Sequence, residues 1–446
     1  MRNETQSPGQ RRRRCLVLVP CPYQGHINPM LQLGTILHSN GFSITIGHTD
    51  FNSPDPKTHP HFCFLPIPDG LSQHDISTGD IAHIISTIND NCKLSFQQLV
   101  EQKQHEIACI IFDEHMYFCD AVAANLKLPS IALRTTSAAT FLARSAVISL
   151  IRQGCLPFQD SILHEMVPKL HPLRFKDLPI PRSADHKPFT QVVSETYKIR
   201  NYSAVIWNTM DCLEHSCLSQ IQQEYCPVPI FPIGPLHKTA QITTSTSYLK
   251  EDANCISWLD KQSQNSVIYV SLGSIASIGE KEVTEMAWGL ANSEQPFLWV
   301  VTPGLVSGFD WIEVLPKWFI DGVGDRGCFV KWAPQKEVLA HEAVGGFWSH
   351  CGWNSTLESI SEGVPMICKP CFGDQRVNAR YVSREWMVGL ELEKMERGEI
   401  ERAVRRLILD NEGKEMRARA KHLKEKVSGG GSHSSLNELV NLIMSL

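Results

Sequence analysis

Short apolar runs alternate with longer segments of helical periodicity along most of the chain, the pattern of buried parallel strands joined by crossover helices. Residues 15–19, Cys-Leu-Val-Leu-Val, open the first such unit. A loop leads to Asn28-Pro29, which reads as a helix start because proline at the first helical position has no N–H bond to lose. Met30, Leu31, Leu33, Ile36 and Leu37 then keep helical spacing, Gly41 ends the helix, and 42–46 reads as a second strand. Further strands are expected at 107–112, 128–133, 204–208 and 230–235, with a helix over 138–151. The proline-rich stretch 152–200 reads as irregular.

The composition shifts to Thr, Ser and Gln over 237–250, which marks a linker. Beyond it the pattern repeats. Strands are expected at 266–270, 297–301, 327–331, 346–348 and 366–368, and a helix at 280–292. In the last strand–helix–strand unit, Asn354, Ser355 and Thr356 offer capping oxygens, and Gly363-Val364-Pro365 stops the helix. Helices are expected at 378–386, 400–409 and 414–426, then a glycine hinge at 429–431. Ser435 and Glu438 form a capping box for an amphipathic last helix carrying Leu436, Leu439, Val440 and Ile443. The fold class is α/β with two Rossmann-like βαβ domains: a tail at 1–10, a first domain at 11–236, the linker, and a second domain at 251–432.

At 446 residues with 42% hydrophobic side chains, the chain has the length for two cores. A net charge of −5 argues against a nucleic-acid partner. No run reaches the roughly 18 apolar residues of a membrane span. Arg11 to Arg14 read as a solvated flank of the first strand, since the apolar run behind them is too short for a signal peptide and lacks a cleavage site. Fifteen scattered cysteines fit a reducing cytosol, and the lone Cys368-Lys-Pro-Cys371 reads as structural. No G-x-G-x-x-G follows the first strand, which argues against an NAD-linked dehydrogenase. No D-x-D and no His/Cys/Asp cluster with ligand spacing points to a metal.

Ligands of open α/β sheets bind beyond the carboxyl ends of the strands. His26 follows the first strand, and Asp113 ends the strand at 107–112. A carboxylate against an imidazole fixes its tautomer and stabilises its protonated form, as a general base requires. A hydrogen-bonded structural histidine is the plainer reading of His26 alone. The stretch 332–375 carries a second constellation. His350, Asn354 and Ser355 gather at a helix N-terminus, suited to a diphosphate. Glu358, one turn on, can accept from ribose hydroxyls, Trp332 offers a flat ring to a base, and Asp374 and Gln375 suit sugar hydroxyls. An ordinary capped βα turn is the alternative for any one of them.

WAPQKEVLAHEAVGGFWSHCGWNSTLESISEGVPMICKPCFGDQ resembles the signature box of the plant secondary-product UDP-glycosyltransferases, the family 1 enzymes of the GT-B fold. PYQGHINP resembles their catalytic-histidine loop and IIFDEHMYF their partner-aspartate segment, so the likeness runs over nearly the whole chain. RRRR, YQGHINP and GDQ-x-x-NARY look closest to the subfamily 76 branch. The resemblance implies Trp332 on uracil with Ala333 beside it, and Gln335 and Glu358 on the ribose. It implies His350, Asn354, Ser355 and Ser274 on the diphosphate, and Trp353, Asp374 and Gln375 at the sugar. Thr136 is implied at the sugar or diphosphate, or else as the cap of the helix over 138–151. His26 and Asp113 become base and partner. Thr302 stands where many relatives carry Arg, which leaves a role there unassigned. The final helix, 433–446, is implied to cross back to the first domain. The implied reaction is inverting transfer of glucose from UDP-glucose, a co-substrate, to a small hydrophobic acceptor by a cytoplasmic monomer without metal or cofactor. A silent nucleotide-sugar binder is the alternative.

Overall fold

The computed structural model describes residues 14–181, 186–198, 202–240, 249–274, 276–306, 308–309, 311–429 and 431–446. The tail at 1–10, Arg11 to Arg13, positions 241–248 of the linker and Gly430 lie outside these residues.

Thirteen described strands form two parallel sheets. The first holds β1 (Cys15–Val19), β2 (Ser43–Thr49), β3 (Cys63–Ile67), β4 (Ile107–Asp113), β5 (Ser130–Arg134), β6 (Ala204–Trp207) and β7 (Ile230–Pro232) in the order β3-β2-β1-β4-β5-β6-β7. The second holds β8 (Val267–Ser271), β9 (Phe297–Val300), β10 (Gly327–Val330), β11 (Val344–Ser349), β12 (Met366–Cys368) and β13 (Gly389–Glu391) in the order β10-β9-β8-β11-β12-β13. This is the GT-B arrangement of two Rossmann-like sheets. Each order reverses once, between β1 and β4 and between β8 and β11, and those two points open crevices beyond the strand ends.

The apolar runs become strands because both faces of each sheet are covered. Leu16 and Leu18 join one core layer while Val17 and Val19 join the other, as the two-residue period demands. Ile268 and Val270 are divided from Val267 and Tyr269 in the same way. The helices that bear on function are α1 (Gln24–Ser39), α2 (Ile81–Glu101), α3 (Ala138–Arg152), α4 (Asp211–Glu224), α5 (Trp353–Glu362), α6 (Gln375–Arg380) and α7 (Gly431–Ser445). Leu436, Leu439 and Ile443 of α7 pack into the layer of Leu16 and Leu18, and Arg14 Nη1 donates to Ile443 O at 3.1 Å.

Several helix ends differ from the sequence expectation. α1 begins at Gln24, so Pro29 lies inside it. Proline has no N–H for the carbonyl four residues back, which leaves Gly25 O without its helical donor. α5 begins at Trp353 with Gly352 as N-cap and no side-chain cap, so Asn354, Ser355 and Thr356 lie within its first turn. α7 starts at Gly431, which puts Ser435 and Glu438 inside the helix, where Ser434 Oγ donates to Glu438 Oε1 at 3.1 Å. Within the expected irregular stretch, Lys187–Thr196 is helical. The helix expected at 378–386 is α6 followed by a π-turn over Tyr381–Glu385.

Candidate active site

Val19 of β1 is in register with Phe112 of β4, so the residues that follow these strands meet at the first crevice. His26 Nδ1 lies 2.8 Å from Asp113 Oδ2 and 2.8 Å from Thr135 Oγ1. The other oxygen, Asp113 Oδ1, accepts from the backbone N–H of His115 at 3.1 Å and meets its Nδ1 at 3.2 Å. The His115 ring stands edge-on to His26 with centroids 5.2 Å apart. With Nδ1 turned to the carboxylate, Nε2 carries the free lone pair. Burial disfavours a charged His26, but Asp113 beside it prevails and the pKa stands above 6.5. Burial likewise opposes a charged Asp113, and the two imidazoles hold its carboxyl well below the ordinary range.

Among the described residues, Cys21, His26 and Asp113 are the group that brings three ligand-type atoms within 4.8 Å of one another. Its chemistry suits a hydrogen-bonded dyad better than a cation. Burial, with Asp113 and Glu114 nearby, pushes the Cys21 thiol well above its usual range, so the thiolate that would ligate is disfavoured.

At the second crevice Ser271 of β8 pairs with Ser349 of β11, and Gly273 and His350 follow them. A Cβ at Gly273, whose φ is +79°, would meet His350 Nε2 at 2.7 Å, and one at Gly352 would meet it at 2.5 Å. The two glycines therefore fit the imidazole against the open N-terminus of α5. Burial lowers the His350 pKa to about 4, leaving a neutral ring, and its Nδ1 is buried with no hydrogen-bond partner. Uncapped helix N–H groups beside such an imidazole are suited to an anion. Behind them, Gln335 Nε2 donates to Glu358 Oε2 at 2.6 Å and to Ser355 Oγ at 3.0 Å, and Tyr269 OH donates to Gln335 Oε1 at 3.2 Å. Burial raises the Glu358 pKa, and the bond from Gln335 offsets this only in part. Trp332 is half-buried, Ala333 is buried beside it, and Ser274 is exposed on the turn after β8.

The crevices are joined. Asn354 Nδ2 donates to Gly25 O at 2.8 Å, taking the carbonyl that Pro29 leaves free, and Asn354 Oδ1 accepts from Asn208 Nδ2 at 3.4 Å. The Asn354 amide thus links the two sheets, with its oxygen and one of its two Nδ2 hydrogens engaged. The Trp353 ring is 3% exposed, packs with Met210, Leu213, Leu357 and Ile360, and donates Nε1 to Asn208 O at 2.7 Å. Thr136 also departs from its expected place. It is buried, its hydroxyl donates to Glu114 Oε1 at 3.3 Å, and its carbonyl accepts from Trp207 Nε1 at 2.7 Å. The cap of α3 is Ser137, and the threonine facing His26 is Thr135. Gln375 Oε1 is taken by the N–H groups of Cys371 and Phe372 at 2.7 and 2.9 Å, which fixes the plane of its amide. Asp374 Oδ2 accepts from Asn378 Nδ2 at 2.8 Å, and burial raises its pKa. Asn378 Oδ1 in turn accepts from Ser137 Oγ at 2.9 Å, a second link between the lobes.

Thr135, His115, Asn208, Gly273, Gly352 and Asn378 are the residues sequence reasoning missed. Thr135 carried a usable signal, since it follows β5 at the same sheet edge as Asp113.

A family model described as UDP-glucoronosyl and UDP-glucosyl transferase matches residues 71–425. The chain is 50% identical to UDP-glycosyltransferase 76E1 of Solanum lycopersicum over 98% of this chain and 93% of that protein. It is also 50% identical to the flavonol 3-O-glucosyltransferase UGT76E12 of Arabidopsis thaliana, over 97% and 98% respectively. Similar solved structures include Phytolacca americana UGT2 complexed with UDP-2fluoro-glucose and pterostilbene, with TM-score 0.82, 27% identity, and 97% and 100% of the two chains covered. A UDP-glucose: anthocyanidin 3-O-glucosyltransferase in complex with UDP has TM-score 0.82 at 26% identity, covering 97% and 99%.

Proposed function

Because the chain belongs to the plant family 1 UDP-glycosyltransferases, in their subfamily 76, and is a UDP-dependent glycosyltransferase, we propose that it moves glucose from UDP-glucose to a hydroxyl of a small hydrophobic plant metabolite with inversion at the anomeric carbon. The bond from Asn354 Nδ2 to Gly25 O, 2.8 Å, carries this reading, because it brings the residue before His26 against the N-terminus of α5, the seat of the leaving diphosphate. In this scheme His26 Nε2 takes the acceptor's proton, Asp113 stabilises the imidazolium, and the acceptor oxygen attacks from the face opposite UDP. The N–H groups of α5, with His350, Ser355 and Ser274, meet the charge that develops on departing UDP, so metal is not required. Trp332 stacks on uracil, Glu358 and Gln335 hold the ribose, and Asp374 and Gln375 orient the glucose. The first lobe takes the acceptor and the second the donor.

Supporting the choice of glucose and of a hydroxyl acceptor are Gln375 at the end of the signature stretch and the relative that glucosylates a flavonol 3-hydroxyl. Among the described residues no helix is long and apolar enough to cross a membrane, and a cytoplasmic monomer is the proposed state. Incubation with UDP-glucose and a panel of phenols and terpenoid alcohols, followed by mass analysis, should give products heavier by one hexosyl unit. Absence of UDP release with every acceptor would sink the proposal. Trp332→Ala should raise the KM for UDP-glucose about 10-fold, as loss of one base–aromatic stack does, with kcat little changed. An unchanged KM would remove the ring from the uracil site.

A further inference from the structure

The oxygen of Asp113 turned away from His26 is held by His115, a second buried imidazole with no part in the proton transfer itself. At Oδ2 stand His26 Nδ1 at 2.8 Å and Thr135 Oγ1 at 3.4 Å, and at Oδ1 the backbone N–H and the ring Nδ1 of His115 at 3.1 and 3.2 Å. An ionised carboxylate can only accept, so both imidazoles turn an Nδ1–H toward it. The His115 ring is itself fixed. Its carbonyl accepts from Asn89 Nδ2 at 2.7 Å, and that buried amide, on α2, also donates to Ile85 O at 2.8 Å and accepts from the Phe118 N–H at 2.9 Å. Met116 N donates to Asp113 O at 2.8 Å, so the turn that carries the ring is closed on itself and stitched to a helix.

The backbone N–H at Oδ1 does not fix the carboxylate by itself. The last torsion of an aspartate is broad, and a single donor on one oxygen leaves the plane free to tilt about that bond. Tilting carries Oδ2 off the line of the His26 Nδ1–H, and a hydrogen bond weakens steeply as it bends. A second donor on Oδ1, from a ring whose own turn is pinned, removes that freedom. We propose that His115 is a positioning residue for the transfer, its Nδ1–H setting the plane of the Asp113 carboxylate and through it the aim of His26. This rests on the transferase reading above. The ring also stands edge-on to His26, centroids 5.2 Å apart, and so backs the base as well as its partner.

The test uses the full chain, UDP-glucose and whichever acceptor of the panel above turns over fastest. His115→Leu removes the ring donor and should lower kcat about 10-fold, as loss of a hydrogen bond to a charged group does, with the KM for donor and for acceptor within about 2-fold. His115→Asn puts an amide N–H where the imidazole Nδ1 stood and should recover most of that loss. His115→Gln, whose amide lies one methylene further out, should recover little. Calorimetric Kd for UDP on each sample identifies the folded variants, and if His115→Leu is not among them the Asn and Gln variants carry the comparison alone. Parental kcat in His115→Leu, equal recovery by Asn and Gln, or a loss confined to the acceptor KM would each overturn the positioning role and leave the transferase reading in place. A parent that transfers to no acceptor defeats that reading, and the positioning role with it.

Discussion

Replacing His26 by alanine should lower kcat by about 10²-fold or more while leaving the Kd for UDP within about 2-fold, because the general base is lost and the donor cradle on α5 is not. Calorimetric titration of UDP and steady-state turnover on one sample separate the two effects, and comparable turnover in the variant would remove His26 from the mechanism. The pH profile gives a finer reading. The base works only when neutral, so activity falls as pH drops through the His26 pKa, and the raised value puts that acid limb above 6.5 in the parent. In Asp113→Asn the stabilising charge is gone while burial, which lowers the pKa, remains. The acid limb should then move below 6.5, with kcat reduced as the imidazolium loses its partner. A limb that stays put would mean that another group titrates.

The second large effect concerns Glu214 of α4. This carboxylate is 3% exposed and accepts from Ala138 N at 2.9 Å, Ala139 N at 3.0 Å and Thr209 Oγ1 at 2.7 Å. It closes the N-terminus of α3, a position that favours negative charge. Burial still raises its pKa, since these three donors only partly offset the loss of water. Glu214→Ala strands all three donors, and about 3 kcal/mol of stability should go with them. For a lobe of this size that is about 6–12 °C in melting temperature. Turnover should fall as well, because the turn entering α3 carries Thr135 against His26 and Ser137 against Asn378. A melting temperature within about 2 °C of the parent would show that water replaces the carboxylate.

Strands were legible in the sequence because burial on both faces leaves continuous apolar runs, and 107–112 falls within β4 for that reason. The dyad was legible too, because the carboxyl-end rule acts locally on β1 and β4 once they are adjacent. Helix starts were less so. Pro29 suggests a first-turn position because a missing N–H is harmless there, yet the carbonyl it leaves free is satisfied from the other lobe. At a strand end a shift of one residue turns the side chain to the opposite side, so Thr135 meets His26 while Thr136 meets Glu114. Nothing local reveals that Asn208 and Gly25, far off in the chain, engage the side chains of Trp353 and Asn354. Contacts that cross between lobes leave no periodic trace.

The carbonyl released by Pro29 belongs to the residue immediately before His26, and the amide that claims it sits on α5, the helix at the second crevice. The tilt of the imidazole is therefore tied to the seating of α5. One peptide unit thus couples the orientation of the proposed base to the helix at the opposite crevice, so Asn354→Ala should disturb catalysis and donor affinity together.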